Sequence, residues 1–271
     1  MEPHHYPVID ALGLPACAAE RAYLWRGDVL QLLREIPDSS VQLVVTSPPY
    51  NIEKPYEQKL SVTEYVDWCA EWLGEVARVL NPTGAAWVNL GYVGVPGRGT
   101  AVPIPYLLWP RLPMHLLQEV VWQQGNGVAC RRRLSPRNEK LLWLVKDATR
   151  YVFNLDAIRD PNVLYPAQRR QGRLRCNPLG KNPGDVWPIP RVTAGRRSAE
   201  RTDHPAQMPL ELAKRVILAC SEPGDLVLDP FAGSGTTLVA AASLERVGYG
   251  FEIDAHYVDI AGRRLLHGAG T

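Results

Sequence analysis

The chain has few cysteines, and none stands in a spacing that indicates a metal site or a disulfide framework. Its five cysteines are scattered through 271 residues, are odd in number and never form a CxxC pair. Small disulfide-stapled domains use even numbers of cysteines, and structural zinc sites use close pairs. The sequence therefore predicts reduced thiols and no metal.

Long hydrophobic runs are also missing. The most apolar stretch, Ala101 to Trp109, is interrupted by Pro103 and Pro105 and is too short to cross a bilayer. Residues 1–10 contain no apolar segment of the kind found in secretory signals. We therefore expect no membrane span and no export.

Charge is nearly balanced over the whole chain but unevenly distributed along it. The formal net charge is +2, yet residues 131–201 hold 17 Lys/Arg and 6 Asp/Glu, so this segment carries +11 and the remainder −9. Trp143, Tyr151 and Trp187 lie among these basic residues. A basic surface with interleaved aromatic side chains is typical of polyanion binding. The alternative is a solvated, arginine-rich face that reflects genome composition.

Short apolar segments alternate with amphipathic ones. Val41–Val45 is β-branched and apolar, as a buried parallel strand should be. A helix is predicted from Ser61, which forms a capping box with Glu64, and it is expected to stop at residues 81–84, Asn-Pro-Thr-Gly. Further strands are predicted at 85–90, 120–123, 141–145, 226–228 and 249–253, and further helices at 209–221 and 238–244. The order predicts a doubly wound, mostly parallel α/β sheet, with residues 156–201 as an irregular insertion.

A glycine-rich turn, Asp229 to Thr237, follows the strand predicted at 226–228. Its glycines let a ligand approach the backbone at the carboxyl end of a strand, where open α/β sheets bind ligands. A triphosphate-binding loop is disfavoured, because GxxxxGK[ST] is absent and no lysine follows Lys214. A dinucleotide fingerprint would need its third glycine at Leu238, whereas Glu252 is placed to accept from ribose hydroxyls. An adenosine ligand without a pyrophosphate fits this pattern better.

The second motif, Ser47-Pro-Pro-Tyr50, ends another predicted strand and therefore is expected to face the same crevice. An amino nitrogen on an aromatic base is a poor nucleophile, because its lone pair is delocalised into the ring. Acceptors that hold its hydrogens free that lone pair, and Ser47 Oγ and the Pro48 carbonyl are candidates. Tyr50 offers an aromatic face on which an extruded base can stack. For the tetrapeptide alone, an ordinary Pro-Pro turn is the alternative.

With both motifs present, the chain resembles the β-class amino-methyltransferases of DNA from about residue 21 to 267. In that family the SPPY or DPPY motif precedes the cofactor loop, and here Ser47 precedes Asp229. The resemblance implies a circularly permuted, Rossmann-like methyltransferase sheet in two parts, 21–147 and 204–267, with a target-recognition insertion at 148–203. It implies S-adenosyl-L-methionine as cofactor and double-stranded DNA as partner. A cognate restriction endonuclease and a second copy of the chain are further partners to expect, in the prokaryotic cytoplasm at the nucleoid.

The resemblance also implies roles for the residues that match the family's motifs. The catalytic motif comprises Ser47, Pro48, Pro49 and Tyr50. Asp28 matches the acid that accepts from the cofactor's adenine amino group, Glu252 matches the ribose acid, and His204 opens a segment flanking the cofactor that ends at Gln207. The loop around the methionine moiety is matched by Asp229, Phe231, Ala232, Gly233, Ser234, Gly235 and Thr236.

Ser47 bears on the choice of base. In the resembling family SPPY goes mostly with cytosine and DPPY mostly with adenine, so N4 of cytosine is favoured and N6 of adenine is the alternative. Carbon-5 methylation needs a cysteine nucleophile, usually in a Pro-Cys dipeptide, which this chain lacks. We therefore expect direct, in-line transfer without a covalent enzyme intermediate. The sequence also leaves open a catalytically silent nucleic-acid binder and an enzyme that methylates RNA or a protein amide.

Two further segments are expected to contact DNA. The loop Asn51–Lys59, directly after the catalytic motif, is expected to close over a flipped base. In the insertion, candidate phosphate contacts are Arg169, Arg170, Arg173 and Arg175.

Overall fold

The computed structural model describes residues 11–54, 56–125, 127, 129–192 and 198–267. Residue 55 of the loop expected to close over the base, and residues 193–197 of the predicted insertion, lie outside the described residues.

Strands and helices alternate along the described chain. The strands are β1 (Cys17–Ala19), β2 (Ala22–Arg26), β3 (Val41–Thr46), β4 (Leu80–Leu90), β5 (Tyr92–Val95), β6 (Gly99–Pro103), β7 (His115–Gln123), β8 (Asn138–Val145), β9 (Arg169–Arg170), β10 (Arg173–Leu174), β11 (Val186–Pro188), β12 (Leu226–Asp229) and β13 (Val247–Glu252). The helices are α1 (Val29–Glu35), α2 (Val62–Val79), α3 (Ile104–Leu108), α4 (Leu210–Cys220), α5 (Thr236–Ser243) and α6 (Ala255–His267). Short 3₁₀ helices cover Trp109–Arg111 and Leu155–Ile158.

One large sheet organises the described residues. Its strand order is β1-β2-β13-β12-β3-β4-β8-β7-β11. The central strands β2, β13, β12, β3 and β4 are parallel, whereas β8 runs antiparallel to both β4 and β7. Because β3 and β12 are direct neighbours, the carboxyl ends that carry the two motifs open on the same edge. The predicted doubly wound, mostly parallel α/β sheet is confirmed.

Helices cover both faces of the sheet, and each face has its own apolar core. On one face α2 buries Tyr65, Trp72 and Val76 among residues of α1 and the sheet. On the other face α4 buries Leu212 and Val216 against strand residues and α5. Burial on both faces explains why the parallel strands are almost wholly apolar rather than alternating.

The capping box at the start of α2 is confirmed, but the predicted start of the next strand at residue 85 is wrong. Ser61 Oγ accepts from the Glu64 amide, and the Glu64 carboxylate accepts from the Ser61 amide. The helix ends at Val79, and β4 begins at once at Leu80, because Leu80 already pairs with Val41 of β3. Pairing with the sheet therefore overrides the Asn-Pro-Thr-Gly turn signal.

The C-terminal part of the irregular insertion is joined to the large sheet by strand pairing. Strand β11 adds in parallel to the edge strand β7. Its Trp187 stacks on Trp87 at a ring-centroid distance of 5.5 Å, and Trp87 stacks on Trp143 at 4.9 Å. The Arg215 guanidinium lies 5.1 Å from the Trp187 ring centroid. This aromatic stack fixes the end of the insertion, while the domain limits themselves stay predictions. Among the described helices, none has the length and apolar character that crossing a bilayer requires.

Candidate active site

The carboxyl ends of the central strands open into one cavity of about 520 Å³. Its walls include the Ser47–Tyr50 motif, the glycine turn and the end of β13. A volume of this size is typical of pockets that enclose small ligands. The fold therefore brings together the two motifs that lie about 180 residues apart in the chain.

The catalytic motif is held rigidly at this cavity. Tyr65 of α2 donates its hydroxyl to the Pro49 carbonyl at 2.7 Å, whereas no described residue donates to the carbonyl of Pro48. The ring of Tyr50 packs so closely over Gly91 that a Cβ on Gly91 would lie 2.7 Å from a ring carbon. Glycine at position 91 therefore leaves the room that the Tyr50 ring occupies, and Ser47 and Tyr50 both line the cavity.

Asp229 links the two motifs from beneath rather than lining the cavity. Its carboxylate accepts from Thr46 Oγ1 at 2.6 Å, from Thr237 Oγ1 at 2.7 Å and from the Phe231 amide at 3.1 Å. Burial raises the pKa of Asp229 to about 6, and the hydrogen bonds from the two threonines oppose that rise. The geometry gives Asp229 a positioning role, since it joins the residue before Ser47 to the glycine turn.

The glycine turn and Glu252 form the other wall. Gly233 and Gly235 adopt positive φ angles of 50° and 74°, a region that L residues with a Cβ rarely enter. The Glu252 carboxylate accepts from the Gly233 amide at 2.9 Å and from the Asp254 amide at 2.8 Å. Burial raises the pKa of Glu252, and these amides oppose the shift. Glu252 is therefore fixed in orientation and faces the cavity, as a ribose acceptor must.

Other residues of the turn lie behind the cavity wall. Arg264 of α6 donates to the Ser234 carbonyl at 2.7 Å and to Thr236 Oγ1 at 3.0 Å. Ala232 donates its amide to the Phe251 carbonyl at 2.8 Å. Of the residues predicted to bind the methionine moiety, Phe231 and Gly233 line the cavity, whereas Asp229, Ala232, Ser234, Gly235 and Thr236 support it from outside. Direct contact by the latter group stays a prediction.

Asp28 lies at the cavity as the N-cap of α1. Its Oδ1 accepts from the amides of Leu30 at 3.0 Å and Gln31 at 3.2 Å. Capping uses one carboxylate oxygen and leaves Oδ2 for a ligand. The predicted contact with an adenine amino group is thus compatible with the geometry and stays a prediction.

Sequence reasoning missed Asn89 and Glu139, which also line the cavity. Asn89 of β4 donates Nδ2 to Tyr50 Oη at 2.7 Å, and Glu139 of β8 accepts from Tyr50 Oη at 2.9 Å. Asn89 carried a signal, because an amide in the otherwise apolar run of β4 needs a buried partner. Glu139 carried none, because its place beside Tyr50 and Asn89 depends on the pairing of β8 with β4.

A family model of N6/N4 methyltransferases, described as DNA methylase, matches residues 41–263. The match covers most of the chain and includes both motifs. The chain belongs to this DNA methylase family.

Named relatives of this DNA methylase are similar to it over most of their length. The chain is 53% identical over 257 residues to the type II methyltransferase M.ScaI of Streptomyces caespitosus. The aligned region covers 94% of this chain and 84% of that protein. The chain is 36% identical over 249 residues to the DNA adenine methyltransferase YhdJ of Escherichia coli (strain K12), covering 88% and 81%. The solved structure of PvuII DNA methyltransferase (cytosine-N4-specific) superposes with a TM-score of 0.74 at 23% identity, covering 94% and 95%. This last similarity shows the fold alone, and it confirms the predicted Rossmann-like methyltransferase fold.

The DNA methylase depends on S-adenosyl-L-methionine, and solved structures of similar fold carry this molecule. The residues present fit it. Glu252 presents a fixed carboxylate to the cavity, and a Cβ on Gly233 would meet the His204 ring at 2.9 Å, so the backbone there is kept bare. No group of ligating residues that could hold a metal ion occurs in the part of the chain that the structure describes.

His204 packs against the glycine turn in an aromatic cluster. Its ring stacks on Tyr56 at a centroid distance of 5.8 Å and meets Tyr257 edge-on at 4.4 Å. Its Nδ1 accepts from the Ala206 amide at 3.2 Å. Burial, assisted by the charge of Arg264, lowers the pKa of His204 to about 4. The imidazole is therefore neutral at pH 7, which suits a site for a sulfonium cation.

This shift predicts a pH-dependent stability. Because the pKa of His204 falls from 6.5 to about 4 on folding, its contribution is fully present above pH 6.5 and is lost as the pH falls through 4. A shift of this size corresponds to about 3 kcal/mol. Urea unfolding of the wild type and of His204→Gln should show the difference in unfolding free energy shrinking from pH 7 to 4.5. A constant difference would mean that His204 is not buried neutral.

Gln207 stabilises the segment around His204 through hydrogen bonds to residues before it in the chain. Its Oε1 accepts from the amide and the hydroxyl of Thr202, both at 2.9 Å, and its Nε2 donates to the Glu200 carbonyl at 2.6 Å. These bonds hold the turn that presents His204 to the cavity.

The four arginines that are candidates for phosphate contacts are exposed and have no acidic partner among the described residues. Arg169 and Arg170 lie on β9, paired with Arg173 on β10, and Arg175 follows. None of the four forms an ion pair with a carboxylate among the described residues. Arg169 and Arg175 instead bond to the Gly172 carbonyl at 2.9 Å and to Gln168 Oε1 at 3.3 Å. The arginine hairpin, residues 169–175, thus carries uncompensated positive charge.

Proposed function

We propose that this DNA methylase transfers a methyl group from S-adenosyl-L-methionine to the exocyclic N4 of cytosine in duplex DNA. The observation that carries the proposal is the pair of acceptors at the cavity, the Ser47 hydroxyl beside a Pro48 carbonyl to which no described residue donates. Bound S-adenosyl-L-methionine supplies an electrophilic methyl group on a sulfonium.

The residues of the chain act by positioning. Ser47 Oγ and the Pro48 carbonyl each accept one hydrogen of the base amino group, so that the nitrogen lone pair is directed at the methyl carbon. Tyr50, whose ring packs over Gly91, provides the stacking face for the base. Glu252 and Asp28 orient the cofactor, and transfer is direct, without a covalent enzyme intermediate. Orientation of this kind supplies a large part of the acceleration in such reactions.

The target base must leave the helix to reach this cavity, and DNA contacts offset that cost. The arginine hairpin is the candidate grip on the backbone, since guanidinium groups bind phosphate oxygens in bidentate fashion. Tyr56, from the loop after the catalytic motif, stacks on His204, and both residues line the cavity. That loop is therefore placed to cover the extruded base.

Support for cytosine rather than adenine comes from Ser47, because SPPY goes mostly with cytosine in the resembling family. The alternative, N6 of adenine, has an observation in its favour, since a relative at 36% identity is named a DNA adenine methyltransferase. Both bases present the same amino chemistry to the two acceptors.

The test is to identify the methylated product. The purified protein is incubated with labelled S-adenosyl-L-methionine and, in parallel, with unmethylated plasmid DNA, RNA and a protein mixture, and the DNA is digested to nucleosides for mass spectrometry. N4-methyldeoxycytidine is the expected product. N6-methyldeoxyadenosine would overturn the choice of base, label only in RNA or protein would overturn the substrate, and no label would favour a silent binder.

The proposal extends to partners. The named relatives include type II methyltransferases, which suggests a cognate restriction endonuclease that cleaves the same sequence, in the bacterial cytoplasm. A homodimer is also proposed, because symmetric pairs are common among such enzymes.

A further inference from the structure

A closed cluster of four side chains lies at the base of the cavity, and it includes a carboxylate to which the proposed reaction assigns no role. Ser47 Oγ lies 2.9 Å from Tyr50 Oη, and Tyr50 Oη lies 2.9 Å from Glu139 Oε2. Asn89 Nδ2 lies 2.7 Å from Tyr50 Oη and 2.6 Å from Glu139 Oε2. All four residues line the cavity.

The positions of the hydrogens in this cluster follow from what each atom can donate. An ionised carboxylate only accepts, so Tyr50 must donate its single proton to Glu139. Burial, with the Glu139 charge adding to it, raises the pKa of Tyr50 well above its ordinary value, so the phenol keeps that proton. The Tyr50 oxygen is then left as an acceptor only, and Ser47 must donate to it.

Asn89 favours the same direction of hydrogen bonding, from Ser47 to Tyr50 and from Tyr50 to Glu139. Its two amide hydrogens are used by Tyr50 and Glu139, the two acceptors within 2.7 Å, and the Ser47 oxygen lies farther away at 3.5 Å. Turning the amide over would place its oxygen against the Glu139 carboxylate, so Glu139 also fixes the orientation of Asn89. The amide oxygen, Oδ1, is buried and has no partner among the described residues. Leaving a buried acceptor unpaired is costly, and that cost is consistent with a cluster arranged for function rather than for stability.

We propose that Glu139 is a positioning residue for methyl transfer: acting through Tyr50, it directs the Ser47 hydroxyl proton away from the base. Ser47 Oγ then presents only lone pairs to the cavity and is an obligate acceptor for the amino hydrogen. The inference rests on the role proposed above for Ser47. Without the carboxylate, the hydrogen bond between the Ser47 and Tyr50 hydroxyls can reverse its direction. Ser47 would then point its proton at the amino group of the base.

The test is a double-mutant cycle on the rate of transfer. Single-turnover methylation of a plasmid DNA that the wild type modifies is measured at saturating S-adenosyl-L-methionine for Glu139→Gln, Ser47→Ala and the double variant. Glutamine keeps the shape of the side chain but can donate to Tyr50. Glu139→Gln should lower the rate about 10- to 100-fold, as is typical when a residue that orients a functional group is removed. In the Ser47→Ala background the same change should have an effect of less than about 2-fold, because residues that act as a unit are non-additive.

Controls separate this role from a structural one. Glu119→Gln makes the same change on the neighbouring strand β7, where Glu119 pairs with Lys140 outside the cluster, and it should leave the rate unchanged. Tyr50→Phe cuts the link between Glu139 and Ser47 and should make Glu139→Gln ineffective. Equal effects of Glu139→Gln with and without Ser47, or no effect at all, would overturn the inference. If Ser47→Ala itself transfers at the wild-type rate, the proposed role of Ser47 fails instead.

Discussion

Ser47→Ala should slow methyl transfer by about 100-fold or more, since loss of one preorganised hydrogen-bonding group at a reacting centre typically costs 10²–10³-fold. The change removes a single oxygen from the cavity, and the acceptor for one amino hydrogen of the base is lost with it. Pro48 keeps its carbonyl, and Asp229 still links Thr46 to the glycine turn. Binding of the cofactor should therefore change by less than about 2-fold.

Single-turnover transfer and cofactor titration together check this result. Ser243→Ala is the matched control, because its hydroxyl bonds to the Ala240 carbonyl within α5, away from the cavity. It should behave as the wild type in both measurements. A parallel loss of rate and cofactor affinity in Ser47→Ala would assign Ser47 to the fold of the site, and an unchanged rate would place the acceptor elsewhere.

The parts of the fold that were predictable are those whose signals are local. The β-branched run of β3, the capping box of Ser61 and the turn after β12 each depend on a few neighbouring residues, and all three occur in the structure. The β4 start at Leu80 was not predictable, because it depends on pairing with Val41, far away in sequence. Strands β1 and β2 were also missed, and for β2 the reason is the same: it pairs with β13, near the other end of the chain.

The residues of the candidate site also fall into two groups, those predictable from local motifs and those placed by tertiary contacts. Ser47, Tyr50 and Glu252 stand in motifs at strand ends, and all of them line the cavity. Glu139 reaches the cavity only because β8 runs antiparallel to β4, an arrangement that no local pattern encodes. Asp229 shows the converse: its motif was evident, but only the structure reveals that its carboxylate faces Thr46 and Thr237 rather than the cavity. The motifs thus identified the site. The tertiary contacts show which motif residues line the cavity and which support the lining residues.

Glu252→Ala should weaken cofactor binding about 100-fold or more. In the role proposed for Glu252, two ribose hydroxyls lose a charged acceptor, and each such hydrogen bond is worth about 1.5–3 kcal/mol, while every 1.4 kcal/mol is a tenfold change in Kd. The wall of the cavity also loosens, because the amides of Gly233 and Asp254 lose their acceptor. Glu252→Gln keeps one acceptor oxygen and should fall between the wild type and alanine.

Titration calorimetry with S-adenosyl-L-methionine and with its 2′-deoxy analogue separates the ribose contact from the loosened wall. If Glu252 holds the ribose, the analogue binds the wild type more weakly than the parent compound, but binds Glu252→Ala almost as well as the parent compound does. Glu211→Ala is the matched control, since Glu211 lies exposed on α4 and pairs only weakly with Arg215 at 3.6 Å, and its affinity should equal that of the wild type. A preference for the parent compound that survives in Glu252→Ala would mean that another residue holds the ribose, and Glu252 would then act only on the glycine turn.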